Sequence, residues 1–182
     1  MALVCRRWRE VVSAAHLWSW VTLKALPANL HHIPAALALP RLAAVNTLQV
    51  NVVSSQLLKA VAEHKGLRKL VMIETKLTEV SANLLANVVA NKIEVNLGAS
   101  ELTDQQVKAI VEAVNPDSPL SKLILKSVNL SSMKVNSLAL LFSSLQELNI
   151  CNCQLRPGQV RKSRHYSFYN NVRFLLNLAK KA

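Results

Sequence analysis

Five positions at fixed spacing recur along this chain and limit what it can fold into. They follow the pattern L-x-x-L-x-L-x-x-N/C-x-L, and the clearest copy is Leu145, Leu148, Ile150, Cys153 and Leu155. A second copy is Leu67, Leu70, Met72, Thr75 and Leu77, and a third is Leu120, Leu123, Leu125, Val128 and Leu130. The fourth has Val95, Leu97, Ser100 and Leu102, with Lys92 at its first position. First positions at 67, 92, 120 and 145 are separated by 25, 28 and 25 residues. Leucine spacing alone says little in a leucine-rich chain, but four matches at a near-constant period define a structural repeat. Two fainter copies precede them. Trp18, Val21, Leu23 and Leu26 keep the spacing. Near residues 42–53 two registers compete: Leu48, Asn51 and Val53, which puts Asn46 at an apolar position, or Val45, Leu48, Val50 and Val53.

Each expected strand is followed by a helical pattern. Val107, Ile110, Val111 and Val114 recur at i, i+3, i+4 and i+7. Thr103 and Gln106 have capping-box spacing, and Asn115-Pro116-Asp117-Ser118-Pro119 ends the helix because proline cannot continue it. Val80, Leu84, Leu85, Val88 and Val89 give a second face, and Leu57, Leu58 and Val61 a third. Residues 56–63 and 105–112 match almost position for position. The expected fold is therefore an α/β leucine-rich-repeat solenoid of five or six units behind a short N-terminal helical segment. Parallel strands would line its concave face and helices its convex face. One unit cannot bury its own apolar stripe, so neighbours bury it for each other.

The template also sets which side chains leave the strands on the concave side. One row is Lys69, Glu94, Lys122 and Glu147, a ladder of alternating sign across strands about 4.8 Å apart. Such a ladder neutralises itself and stabilises the sheet modestly. The next rows are Val71, Asn96, Ile124, Asn149 and Ile73, Gly98, Lys126, Cys151. From these, Val71, Ile73, Asn96, Ile124, Lys126, Asn149 and Cys151 are the candidate partner-binding residues. A mixed, partly apolar surface suits a protein or peptide better than a phosphate backbone. The Asn/Cys-type position (Thr75, Ser100, Cys153) should turn inward and satisfy turn backbone groups.

Composition narrows the function classes. With 51% hydrophobic residues and only 18% charged over 182 residues, the chain can bury a core, and disorder is excluded. Charge-free stretches at 25–40 and 42–58 fall short of a membrane span and are broken by Pro, Asn and His, so no membrane association is expected. Arg6, Arg7, Arg9 and Glu10 occupy the place of a signal peptide's apolar run. Three cysteines, an odd number, then point to a reducing compartment, cytoplasmic or nuclear, and leave the Asn129-Leu130-Ser131 sequon idle. The net charge of +12 is concentrated at the ends. Residues 148–182 carry seven Lys/Arg and no acid, whereas residues 27–147 are close to neutral. Aromatics are also terminal, with Phe142 alone between residues 21 and 165.

The N-terminal residues carry a resemblance. Leu3-Val4-Cys5-Arg6-Arg7-Trp8-Arg9, followed by Leu17 and Trp18, resembles the second half of an F-box, a short adaptor-binding motif. With repeats to about residue 155, the layout is similar to F-box/leucine-rich-repeat proteins. The resemblance implies a substrate-recognition subunit of an SCF-type ubiquitin ligase, with Val4, Cys5, Arg6, Trp8, Leu17 and Trp18 on the side of a Skp-type adaptor and an unidentified protein as substrate. It divides the chain into an F-box-like segment at 1–24, repeats at 25–155, and a basic tail or C-terminal cap at 156–182. Met1 falls within the motif, so adaptor binding is expected only of a form extended upstream. The N-terminal aromatics Trp8, Trp18 and Trp20, with Leu17, would otherwise pack onto the first repeat and cap it.

The template fails after Leu155. Arg156-Pro157-Gly158 reads as a turn, and residues 172–181 as a terminal helix that covers the last strand with Phe174, Leu175 and Leu178. Arg161, Lys162, Arg164, Tyr166, Phe168, Tyr169 and Arg173 interleave base and aromatic, which leaves RNA binding as an alternative, though without a nucleic-acid module signature. His31-His32, among Pro27, Pro34 and Pro40, reads as a connecting loop. Cys151 and Cys153 are too few for a zinc site and should face opposite ways. No catalytic constellation, metal site or cofactor motif can be named. The expectation is a binding protein rather than an enzyme, with no cofactor.

Overall fold

A computed structural model describes residues 14–20, 22–25, 28–115, 117–159 and 173–175. A short 3-10 helix, Ala15–Trp20, leads into strand β1 (Thr22–Ala25). Strands β2 (Thr47–Val50), β3 (Lys69–Val71), β4 (Glu94–Asn96), β5 (Lys122–Ile124), β6 (Glu147–Asn149) and β7 (Arg173–Leu175) follow. Helices α1 (Ile33–Leu37), α2 (Ser55–Glu63), α3 (Ala82–Ala90), α4 (Asp104–Ala113) and α5 (Val135–Ser144) fall between successive strands from β1 to β6. All seven strands form one parallel sheet in sequence order. The fold is thus α/β, with strands and helices in alternation.

The register explains the period. Leu23, Leu48, Leu70, Val95, Leu123, Leu148 and Phe174 are Cα partners across the sheet. Leu48, Leu70, Val95, Leu123 and Leu148 are fully buried at the centre of their strands. They join Leu57, Leu58 and Val61 of α2, Leu85, Val88 and Val89 of α3, Val107, Ile110 and Val111 of α4, and Leu138 and Phe142 of α5 in one core. Residues on either side of the central one in β3–β6 are half-buried, as alternation across a pleated strand requires.

One open register is resolved and three expectations change. In the region 42–53, Val45, Leu48 and Val50 are buried, so the slipped register holds. At the front, Leu23 rather than Val21 aligns with Leu48, two residues later than the template suggested. Residues 30–42 are not an irregular loop but the 3-10 turn Leu30–His32, helix α1 and the 3-10 turn Pro40–Leu42. Pro34 and Pro40 sit in the first turns of these elements, where a missing N–H costs nothing. At the back, residues 157–159 are helical rather than a turn, and Arg173–Leu175 is a strand parallel to β6 rather than part of a terminal helix. Phe174 follows Leu148 by 26 residues, so the basic segment supplies another strand at the same period.

Polar side chains tie neighbouring units at repeated places. Thr75 Oγ1 donates to Val50 O (3.3 Å), Ser100 Oγ to Met72 O (2.6 Å) and Cys153 Sγ to Leu125 O (2.9 Å). The inward-turning position therefore satisfies the carbonyl of the preceding unit. Thr103 and Gln106 complete a capping box on α4, and Gln106 Nε2 also donates to Leu77 O and Val80 O, both 2.6 Å. Gln159 repeats this two units further along: its Oε1 accepts from Arg156 N, and its Nε2 donates to Leu130 O and Met133 O. Glu74, Ala99, Ser127 and Asn152 share one place after their strands, all left-handed with φ of 54–63°. Gly66 is needed for close approach, since a Cβ there would run into the Ala43 carbonyl.

Lys92 is the exception in the core. It stands where other units have Val45, Leu67, Leu120 and Leu145, and it is 2% exposed. Its ammonium donates to Val61 O (2.8 Å) and His64 O (3.3 Å) at the C-terminal end of α2, where a cation is favoured. His64 is itself held, accepting from Leu67 N at Nδ1 and donating to Leu42 O from Nε2. Burial of the ammonium lowers the Lys92 pKa from 10.5 to about 8. The folded state therefore releases this proton before the unfolded chain does. The cost of the buried charge is complete below pH 8, is relieved between about 8 and 10.5, and is gone above that. Lys92→Met should be at least as stable as the parent at pH 7. Between pH 7 and 10 the parent should gain on the order of 3 kcal/mol relative to this variant, read from urea midpoints. Equal pH dependence of the two proteins would show that Lys92 is not charged and buried.

Candidate functional site

The face of the sheet opposite the helices is assembled by register. Lys69, Glu94, Lys122 and Glu147 are Cα neighbours on β3–β6, and the backbone of Arg173 continues the row on β7. Lys69 meets Glu94 at 2.9 Å, Glu94 meets Lys122 at 3.7 Å, and Lys122 meets Glu147 at 3.2 Å. The ladder expected from the template is formed, and its charges compensate one another.

Val71, Asn96, Ile124 and Asn149 are likewise Cα neighbours, all half-buried. Beyond the strands proper, backbone bonds continue the pairing: Met72 N to Asn96 O, Leu97 N to Ile124 O and Leu125 N to Asn149 O. Glu74 N to Gly98 O, Ala99 N to Lys126 O and Ser127 N to Cys151 O extend it further. These bonds align Ile73, Gly98, Lys126 and Cys151. Ile73 is 41% exposed, Lys126 is exposed and Cys151 half-buried. All seven candidate residues on this face therefore come together on contiguous strands.

The two asparagines also have a structural task. Asn96 Oδ1 accepts from Gly98 N and Asn149 Oδ1 from Cys151 N, each at 3.0 Å. Each asparagine thereby holds the turn that follows its strand, as short amide side chains commonly do.

Of the adaptor-side residues, Val4, Cys5, Arg6 and Trp8 lie outside the described residues. Leu17 is 44% exposed, while Trp18 is half-buried against the core. Trp18 thus packs against the core, whereas Leu17 is largely exposed. The five-position template does not mark Gln106 and Gln159 as ties between units, although the shared spacing of Leu102 and Gln106 with Leu155 and Gln159 carries the signal.

Cys151 is half-buried and Cys153 buried, so their thiols have different surroundings. Burial pushes the Cys153 thiol up to about 12, so its S–H persists as the donor to Leu125 O. Among the described residues there is no group of three or more His, Cys, Asp or Glu that could hold a metal. Nor is any described helix long and apolar enough to cross a membrane. A depression of about 430 Å³ lies on the helix side, lined among others by Asp104, Lys108, Met133 and Ser137, and includes none of the open-face candidates.

Three outcomes follow from this geometry. Glu94→Gln removes the shared centre of the ladder and should cost about 1 kcal/mol or less at low salt, shrinking further in 1 M NaCl. A loss that salt leaves unchanged would mean that Glu94 acts by packing. In the native protein at pH 8, peptide mapping after alkylation should find Cys151 modified before Cys153. Cys153→Ser should keep stability within about 1 kcal/mol, since Ser100 makes the same bond.

No protein-family model matches the chain, and comparison with curated proteins finds no match either.

Proposed function

We propose that this chain is a non-catalytic protein-recognition module built as a leucine-rich-repeat solenoid, its strands on the concave side and its helices on the convex side. The observation that carries this reading is the shared register of Leu48, Leu70, Val95, Leu123 and Leu148 on adjacent parallel strands, with a partly open row of side chains on either side of them. Repeats of this kind hold a rigid frame while their outward residues vary, which suits binding to an extended protein surface. Val71, Ile73, Asn96, Ile124, Lys126, Asn149 and Cys151 form the proposed contact surface.

The N-terminal motif supports a more specific role. By its resemblance to F-box/leucine-rich-repeat proteins, the chain would present a protein substrate to an SCF-type ubiquitin ligase in the cytoplasm or nucleus. Support for that role comes from residues 3–18 alone. An interaction scaffold outside the ubiquitin system is the second reading, favoured because the open face lies wholly within residues 69–151 and needs nothing from the N-terminal motif.

A pull-down with a purified Skp-type adaptor separates these readings. It should use this chain and a version extended upstream by the first half of the motif. Retention of the extended form alone is expected. Equal retention of both would overturn the importance given to the upstream half, and retention of neither would leave the scaffold reading in place.

A further inference from the structure

The three rows of the open face settle their charge differently, and the difference specifies a partner. In the first row every charge from Lys69 to Glu147 has an opposite neighbour. On β3–β6 the second row is Val71, Asn96, Ile124 and Asn149 and carries no charge; it reaches one exposed cation, Lys24, only on β1, two strands from Val71 through Gln49. The third row, Ile73, Gly98, Lys126 and Cys151, carries one cation. Lys126 is exposed and makes no ion pair among the described residues. Gly98 leaves the place between Ile73 and Lys126 without a side chain. A Cβ built there would lie 3.8 Å from Lys126 Cβ and 3.1 Å from Asn96 Oδ1, so the asparagine amide floors the gap. Glu74, the acid next to Ile73, has φ of 54° and belongs to the left-handed turn row with Ala99, Ser127 and Asn152.

We propose that the partner of this face is an acidic polypeptide segment with apolar side chains, its apolar groups over Val71, Ile73 and Ile124 and a carboxylate at Lys126. The inference rests on the protein-recognition reading and gives that partner its chemistry. Short-range complementarity comes from the unpaired Lys126 beside exposed aliphatic surface. Long-range attraction comes from the net charge of +12. Seven Lys/Arg lie in residues 148–182, and strand β7 joins that segment to the sheet beside β6. A nucleic acid fits this face less well. The three rows contain no aromatic residue for base stacking, and the lysines of the first row are already neutralised.

The test is selection of a random-peptide display library on the full chain, followed by affinity measurement of an enriched peptide. Enrichment in Asp or Glu together with Leu, Ile or Val is expected. Lys126→Glu should weaken the selected peptide about tenfold, and Ile73→Ser by about three- to tenfold. Lys108→Glu, an exposed change on the helix side, should leave it unchanged, which also controls for general charge. Peptides without an acidic bias, or acidic peptides weakened equally by K108E and K126E, would overturn the partner chemistry and leave protein recognition standing. No peptide above background would overturn both, and retention of a single-stranded RNA oligonucleotide in its place would assign the surface to nucleic acid.

Discussion

Each strand–helix unit in this protein is too small to bury its own apolar stripe, and the whole architecture follows from that shortage. Leu70 is enclosed because Leu48 and Val95 flank it in the sheet and residues of α2 and α3 share its core. The same holds for Val95, Leu123 and Leu148 in turn. At roughly 25 cal/mol per Å² of apolar surface, fully burying each leucine contributes about 1.5–3 kcal/mol, and only the neighbouring unit makes that burial possible. Stability is therefore shared between neighbours rather than held within a unit.

Buried polar groups reinforce the same dependence. Thr75, Ser100 and Cys153 donate to carbonyls of the preceding unit, and Gln106 and Gln159 do so on the helix side. Each of these bonds links units 25–29 residues apart in sequence. Lys92 uses the same logic at a position meant for an aliphatic side chain. It reaches across to the carbonyl end of α2 and accepts the desolvation of its charge for two hydrogen bonds. Val128, at the place of Thr75 and Ser100, is buried and its side chain has no donor, so the side-chain tie can be missing from one unit while the sheet register continues through it.

With one face of the sheet committed to the core, the other is left for contact with solvent or a partner. There the charged ladder consumes its own charge, the asparagines hold their turns, and the aliphatic residues with Lys126 remain. That division separates the residues that maintain the frame from those able to distinguish one partner from another.

Much of this was legible in the residues alone. The inward positions of β3–β6, the charged ladder and the capping box at Thr103 follow from spacing, because a side chain's face is set by local geometry. Helix α1 was not legible: its five residues include Pro34 and pack through Ile33 and Leu37, contacts that no periodicity announces. Strand β7 was hidden for a related reason. Phe174 keeps the period, but Asn171 stands at the first template position, and pairing with β6 supplies the ladder that local pattern does not. The fate of Lys92 was the least accessible, since a lysine at an apolar position reads as an interruption until the carbonyls of Val61 and His64 are seen beside it. The sequence by itself determined which side chains face the core and how often the unit returns. Only the tertiary structure decided that β7 joins the sheet and which buried polar groups find partners, because both depend on contacts between residues far apart in the chain.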